Sequence, residues 1–171
     1  MRRILYIIFI IFNTTIFAKD FDIIYQNTLQ FEGSKYVNTS LEESKYGISK
    51  YYTKNVKGLT KDSATKIAYE KIYKAHRLDE IQNLQLKTFI FDWLYHSSPA
   101  SAIKNIQKIL VKKGFQIEVD GILGSDTIKA LNECNESLIN DLKKTRLNYL
   151  RNLKHYPKYK NNWENRIAKV V

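Results

Sequence analysis

Apolar residues recur at intervals of three and four along most of the chain, a spacing that favours helices over strands. The 81–96 segment is so rich in apolar residues that we expect it to be the central, most buried helix. Strand signals are weak, and the 33–60 interval is predicted to be a loop. The predicted helices cover 21–31, 61–75, 81–96, 99–110, 125–131, 136–154 and a short stretch around 163–167. The predicted fold class is therefore all-α.

Residues that cap helix ends indicate where several of these helices begin. Thr60 is an N-cap for the second helix, and Ser98 followed by Pro99 forms the same kind of start for the fourth. Ser125 or Asp126 is expected to cap the fifth. The second helix should direct one face to the core, formed by Ala64, Ile67, Ala68, Ile72 and Ala75. The sixth helix should do the same with Leu138, Leu142, Thr145, Tyr149 and Leu153.

Glu32 stands where the first predicted helix meets Gly33, close to aromatic and polar residues. A carboxyl group in such a place can be partly shielded from water by neighbouring rings, which favours its protonated form near neutral pH. Glycosidases that cut polysaccharides use such a group as a general acid. Glu32 is therefore a candidate catalytic acid, although an ordinary solvated glutamate at a helix end would show the same local pattern.

Residues 1–18 have the outline of a secretory signal peptide. Arg2 and Arg3 are positive, 4–12 is apolar without interruption, and Ala18 is a small residue at a suitable cleavage point. An uncleaved anchor is the alternative, but the apolar stretch is short for a bilayer, which needs about 20 residues. We expect export with cleavage, a periplasmic or extracellular location, and membrane contact only through this leader.

The net charge of +11 favours a polyanionic partner through long-range attraction. Nucleic acid, anionic lipid and the carboxylate-rich bacterial cell wall all fit this charge, but export argues against nucleic acid. Cys134 is the only cysteine, so no internal disulfide can form. The three histidines lack the spacing of a zinc peptidase, and no phosphate loop or nucleophile elbow is present. We expect no metal ion and no cofactor.

Several short motifs together resemble glycoside hydrolase family 108, over nearly all of the chain after the leader. Residues 32–38, Glu-Gly-Ser-Lys-Tyr-Val-Asn, are similar to the family segment that begins with its catalytic glutamate, which Glu32 matches. Gly47, followed by Ile, resembles a second family segment. The chain departs from the family at 34–35, where Ser-Lys replaces one glycine, and at 40–46, which is shorter and lacks paired glycines.

A further group of similarities lies towards the C-terminus. Residues 120–131 contain Asp-Gly-x-x-Gly-x-x-Thr-x-x-Ala-Leu, which resembles peptidoglycan-binding helical modules, and Trp163-x-x-Arg166 completes the resemblance. Asp-Gly by itself is a common turn, so this segment can also be structural. The resemblance implies a signal peptide at 1–18, a muramidase catalytic region at 19–98 and a peptidoglycan-binding helical region at 99–171.

The resemblance also implies a lysozyme-like helical fold and hydrolysis of the β-1,4 bond between N-acetylmuramic acid and N-acetylglucosamine, with Glu32 as general acid. Peptidoglycan is then the expected partner of a monomeric protein. Glu42 and Glu43 are candidates for a second carboxylate. The residues expected to contact the glycan are Tyr36, Asn38, Glu42, Tyr46, Asp120 and Thr127.

Two alternatives stay open. The first is a relative that has lost activity and only binds peptidoglycan, which the altered loop after Glu32 would explain. The second is a lytic transglycosylase, an enzyme in which one glutamate also suffices. The biological role is equally open between an endolysin, an enzyme that remodels the wall for envelope-spanning machinery, and a muramidase that serves toxin release.

Overall fold

The computed structural model describes residues 19–39, 43–134 and 138–171. The predicted leader and Glu42 lie outside the described residues. Helix α1 covers 19–29. The other helices are α2 (Lys61–Ala68), α3 (Leu84–His96), α4 (Pro99–Lys112), α5 (Ser125–Glu133), α6 (Leu138–Arg151) and α7 (Tyr156–Lys169). The predicted all-α class is confirmed, and the arrangement is lysozyme-like.

A small antiparallel sheet occupies part of the interval that was predicted to be a loop. Its strands, in the order β1-β2-β3, are β1 (Val37–Asn38), β2 (Glu43–Lys45) and β3 (Ile48–Ser49). The turn between β2 and β3 places both Tyr46 and Gly47 at positive φ, the geometry of a tight hairpin. Strands of two or three residues are too short to produce an alternating pattern of polar and apolar positions, so they were not predicted.

Helix α3 is the centre of the core, as its apolar content predicted. Every residue from Leu86 to Tyr95 is buried, and α3 packs against α4, α6 and the π-helical segment Tyr69–Lys74 that follows α2. Two charged residues share this burial. Lys87, 3% exposed, pairs with Asp20 of α1 at 2.7 Å, whereas Asp92 is fully buried and forms part of the site described below.

The second helix starts as predicted, with Thr60 accepting a hydrogen bond from the backbone N–H of Ser63. It then changes to a π-helix over Tyr69–Lys74. Because a π turn takes one residue more than an α turn, the inner face shifts along the chain. Tyr73 is consequently buried and Ala75 is exposed, so the prediction that Ala75 faces the core was wrong.

Three details of the C-terminal half also differ from expectation. Gly124, and not Ser125 or Asp126, occupies the N-cap position of α5. The inner face of α6 contains fully buried Arg146, whereas the predicted Thr145 is only partly buried. Helix α7, which was predicted to be a short helix around 163–167, has 14 residues, the same length as α6.

Within the described residues, no helix combines the length and apolar character needed to cross a membrane.

Candidate active site

Glu32 lies just after α1, in the turn that leads to the sheet. The backbone N–H of Glu32 donates to the carbonyl of Leu29, which continues the helical path for one more turn. The side chain is 16% exposed, so the carboxyl group is held within the protein surface and still reaches solvent. The carboxyl group is therefore partly shielded, but it also contacts the guanidinium of Arg166, a cation absent from the expectation of a group shielded by rings and kept protonated.

Two grooves lie near this carboxyl group, and Glu32 lines the first of them. The first, called the helix groove, has a volume of about 380 Å³ and is lined by Gln26, Leu29, Gln30, Glu32, Ser34, Tyr46 and Lys61. The second, called the hairpin groove, has a volume of about 570 Å³ and is lined by Glu43, Gly47, Ser49, Lys50, Tyr51, Tyr52, Tyr95 and the 96–99 segment. Both volumes fall in the range of about 300–1,000 Å³ that is typical of ligand sites.

Gly47 lines the hairpin groove and lies directly against the carboxyl group of Glu32, which lines the helix groove. We call this contact the junction of the two grooves. A Cβ atom on Gly47 would stand 2.8 Å from both Cδ and Oε2 of Glu32 and 2.5 Å from Cε1 of Tyr95. No side chain fits there, and the φ of +75° also favours glycine. The hydroxyl of Tyr95 donates to the carbonyl of Tyr46 at 2.7 Å, which fixes the hairpin turn against α3.

The Glu32 carboxylate is joined to a network of charged groups that extends into the core. Nη1 of Arg166 donates to Oε1 of Glu32 at 2.6 Å. The same guanidinium donates from Nε and Nη2 to Asp92, at 2.9 and 2.8 Å. Nη1 of Arg146 lies 2.8 Å from Oδ2 of Asp92, the oxygen that also accepts from Nε of Arg166. Two carboxylates and two guanidinium groups therefore form a neutral cluster, which makes burial of its charges tolerable.

These charges change the titration of their neighbours. Burial by itself would raise the pKa of Asp92, but Arg146 and Arg166 hold that pKa below its ordinary value. Burial, together with the positive charges of Arg166 and Arg146, lowers the pKa of His96 to about 3. His96 is therefore neutral at physiological pH, and its ring packs edge-on against Trp163 with centroids 5.9 Å apart.

The structure places the predicted cleft residues on both sides of this centre. Tyr46 lines the helix groove together with Glu32. Tyr36 and Asn38 belong to the β1 side of the sheet, where the hydroxyl of Tyr36 donates to Glu43 at 2.8 Å and Asn38 pairs in register with Glu43. Tyr36 therefore holds a carboxylate that lines the hairpin groove, whereas Tyr36 and Asn38 themselves line neither groove. Glu42 is outside the described residues.

Asp120 and Thr127 lie elsewhere, Asp120 in the turn between α4 and α5 and Thr127 in the first turn of α5. Nε2 of Gln107 donates to Asp120 at 2.7 Å, to the carbonyl of Ile122 at 2.9 Å and to Thr127 at 3.2 Å. Its Oε1 accepts from the N–H of Gly121 at 2.8 Å. Buried Gln107 thus connects the turn to the start of α5 through these hydrogen bonds. The contacts favour a structural role for Asp120 and Thr127, the interpretation that the sequence left open.

A larger depression of about 780 Å³ lies between the start of α3 and the residues around α5 and α6. Its described lining consists mainly of amide and apolar side chains with Cys134, and it includes no carboxylate. It consequently offers no acid for glycoside chemistry. Among the described residues, no group of three or more His, Cys, Asp and Glu side chains is placed to hold a metal ion.

The sequence analysis assigned no role to Arg146 or Arg166 and did not predict that Asp92 connects them. One signal in the sequence pointed to a buried charge cluster. Asp92 sits within the apolar segment predicted to be the central buried helix, and a charged residue there requires a charged partner. The partners come from α6 and α7, 54 and 74 positions away, and no spacing rule relates residues so far apart.

Comparisons with known proteins relate this architecture to peptidoglycan. Residues 101–168 match a family model described as a predicted peptidoglycan domain. The structure of Brucella abortus SagA is similar over 92% of this chain and 92% of its own, with 25% sequence identity and a TM-score of 0.73. No curated protein matches the chain. The chain thus shares its fold with SagA and carries a C-terminal region similar to a predicted peptidoglycan domain.

Proposed function

We propose that this protein is an exported N-acetylmuramidase that cleaves the β-1,4 bond between N-acetylmuramic acid and N-acetylglucosamine in peptidoglycan. The observation that carries the proposal is the position of Glu32. Its side chain is only 16% exposed and lines the helix groove, and its carboxyl group lies against Gly47 of the hairpin groove. A glycan strand that follows both grooves would pass its scissile bond over Gly47 and beside this carboxyl group.

Glu32 acts as the general acid in this scheme and protonates the glycosidic oxygen as the oxocarbenium-like transition state develops. In the resting protein, Arg166 favours the carboxylate form of Glu32, because a neighbouring cation stabilises the charged form of an acid. Glu32 must take up a proton when the glycan enters and excludes water. Oε1 of Glu32 can still accept from Arg166 once the other oxygen carries the proton, since Nε and Nη2 keep the guanidinium fixed on Asp92.

Glu43 is the candidate for the second carboxylate. Of the described residues that line the two grooves, Glu32 and Glu43 are the ones with carboxyl groups. Asp92 is close to Glu32 through Arg166, but it is fully buried and bound by two arginines, which leaves it unsuited to attack a sugar. Glu43 would serve either as the nucleophile or as the base for water, depending on its separation from Glu32.

The charge of the protein supports the same substrate. Without Arg2 and Arg3 of the predicted leader, 26 basic and 17 acidic residues remain, and this net charge of +9 attracts the protein to the carboxylates of the cell wall. The similarity of residues 101–168 to a predicted peptidoglycan domain supports peptidoglycan as the partner and a location outside the cytoplasm. Exposed Tyr51, which stands edge-on to Tyr52 in the hairpin groove, offers a ring face on which a sugar can stack.

A lytic transglycosylase is the second candidate, and the structure supplies one observation in its favour. The helix groove carries a single carboxyl group among its described lining residues, that of Glu32. In a transglycosylase the muramic acid's own hydroxyl replaces water, so one acid that also acts as base is sufficient. The two reactions give different products, because hydrolysis adds a water molecule and the internal reaction leaves an anhydro sugar.

Purified sacculi provide the decisive substrate. The protein is incubated with them, new reducing ends are counted, and the released fragments are identified by mass spectrometry. Hydrolysis predicts reducing muramic acid ends with wild type and none with Glu32→Gln, while Glu133→Gln, an exposed glutamate on α5, retains activity. Anhydro products would replace the muramidase proposal by the transglycosylase. Binding to sacculi without any product would leave a peptidoglycan-binding protein.

A further inference from the structure

Arg166 connects the last helix to the candidate catalytic residue, 134 positions earlier in the chain. It is 6% exposed, and its guanidinium uses three nitrogens: Nη1 binds Glu32, while Nε and Nη2 bind Asp92. A guanidinium is planar and carries its donors in a fixed fork. When two of its nitrogens are fixed on one carboxylate, the direction of the third is determined.

The base of this fork is rigid. Asp92 is fully buried on α3, and it is also paired with fully buried Arg146 of α6. The guanidinium of Arg146 lies over the rings of Phe89 and Trp93, with its carbon 5.4 and 5.9 Å from their centroids. Three helices thus fix the position of one carboxylate, and this carboxylate aims Arg166 at Glu32.

Glu32 is held from two sides as a result. Its Oε1 accepts from Arg166, whose guanidinium carbon also lies 5.4 Å from the ring centre of Phe31. Its Oε2 lies on the side of Gly47, 2.8 Å from the point that a Cβ there would occupy. The oxygen that Arg166 does not bind therefore faces the junction of the two grooves.

We propose that Arg166 is a positioning residue, which aims Oε2 of Glu32 at the junction of the grooves and controls when Glu32 is protonated. The proposal rests on the muramidase function proposed above. It also means that the C-terminal region takes part in the active site, because α6 and α7 supply Arg146 and Arg166. Removal of this region would leave Asp92 buried without a cation.

The charged and titratable groups around Glu32 determine the expected sign of a pH effect. They are Arg166 from α7, Arg146 from α6, Asp92 and Tyr95 from α3, Tyr25 from α1, and Tyr46 and Lys61 in the helix groove. Arg166 is the cation in direct contact. Its removal favours the protonated acid, so the alkaline limb of the activity profile, where the acid loses its proton, should move to higher pH.

The experiment compares Arg166→Met and Arg166→Lys with wild type in the full chain. Arg151→Met is the control. It removes a surface arginine of α6 that pairs with Glu164 of α7, the helix that also carries Arg166. A misplaced catalytic group costs about 100-fold in rate, so kcat should fall by that order in Arg166→Met, with KM little changed. Arg166→Lys should be intermediate, because a single ammonium cannot reproduce the fork. Arg151→Met should behave as wild type.

A second measurement does not depend on activity. The side-chain carboxyl carbon of Glu32 is followed by NMR as a function of pH, with its signal assigned through Glu32→Gln. In Arg166→Met the signal should titrate at higher pH than in wild type and in Arg151→Met. Should Arg166→Met fail to fold, Arg166→Lys must still show a shifted titration and a reduced kcat.

The two proposals can fail separately. A wild-type protein that releases no sugar ends overturns the muramidase function, and the NMR titration then still decides the role of Arg166. If the titration of Glu32 and the alkaline limb are the same in wild type and in folded Arg166→Met, the arginine has only a structural role and the positioning proposal is wrong.

Discussion

Gly47 and Glu32 are in such close contact that the hairpin leaves no room for a side chain beside the carboxyl group. A Cβ atom at position 47 would stand 2.8 Å from the Cδ of Glu32 and 2.5 Å from the ring of Tyr95. The β2–β3 turn is therefore part of the site. Its backbone forms the surface between the two grooves, and its close approach limits where the carboxyl group of Glu32 can lie.

Replacement of Gly47 by alanine should displace Glu32 and lower the rate of sugar release by about 100-fold, as expected for a misplaced catalytic group. The control is Gly114→Ala, because Gly114 also has a positive φ, +99°, but has open space where a Cβ would stand. Both substitutions impose backbone strain of about 1–2 kcal/mol. If Gly114→Ala lost as much activity as Gly47→Ala, strain and not contact with Glu32 would be the cause.

Replacement of Asp92 by asparagine should destabilise the protein by about 3–5 kcal/mol, the usual cost of breaking a buried ion pair. Arg146 would then remain fully buried without a compensating charge. Chemical denaturation measures the difference. Asp141→Asn is the control, since that carboxylate pairs with Lys113 on the surface, where a pair contributes about 0–1 kcal/mol. Equal effects of the two substitutions would contradict the importance of the cluster.

Acid should unfold the wild type through the same carboxylate. The pKa of Asp92 is lower in the folded protein than in the unfolded chain, so its contribution is complete above about pH 4 and is lost as pH falls further. Denaturation midpoints measured between pH 5 and about pH 2 should therefore fall steeply for wild type and less steeply for Asp92→Asn. Parallel curves would show that other carboxylates dominate acid unfolding.

His96 should make the stability of the protein depend on pH in a second range, which lies above the range set by Asp92. Its pKa is about 3 in the folded protein and about 6.5 when unfolded, so the unfolded chain binds more protons between these values. Stability is then complete above about pH 6.5 and decreases as pH falls, by about 1–2 kcal/mol near pH 5. His96→Asn should flatten this part of the profile. His155→Asn, at the start of α7, should leave it unchanged.

Gln107 should be required for stability and not for the chemistry. Gln107→Ala removes four hydrogen bonds from the turn between α4 and α5 and leaves polar groups near Asp120 and Thr127 without their partner. We expect a loss of about 1–3 kcal/mol in the free energy of unfolding. Gln85→Ala, at an exposed position of α3, is the control. If Gln107→Ala keeps its stability but binds sacculi more weakly, the turn contacts the wall directly.

The sequence by itself determined the helical architecture. Helix formation depends on contacts three and four residues apart, so the apolar spacing of 81–96 was sufficient to predict the buried central helix. Thr60 was likewise recognised as a cap because capping is local. Glu32 could be singled out for the same reason: a helix end, a glycine and neighbouring aromatic residues are all visible within a few positions.

Only the tertiary structure decided which groups surround Glu32. Arg166 comes from 134 positions away and Asp92 from a different helix, and helical packing alone brings them within hydrogen-bonding distance. The change to a π-helix at Tyr69–Lys74 also escaped prediction, because the apolar residues of this helix were assigned to its inner face with the period of an α-helix. Electrostatic contacts between distant segments depend on the folded arrangement, and an isolated sequence pattern does not encode their geometry.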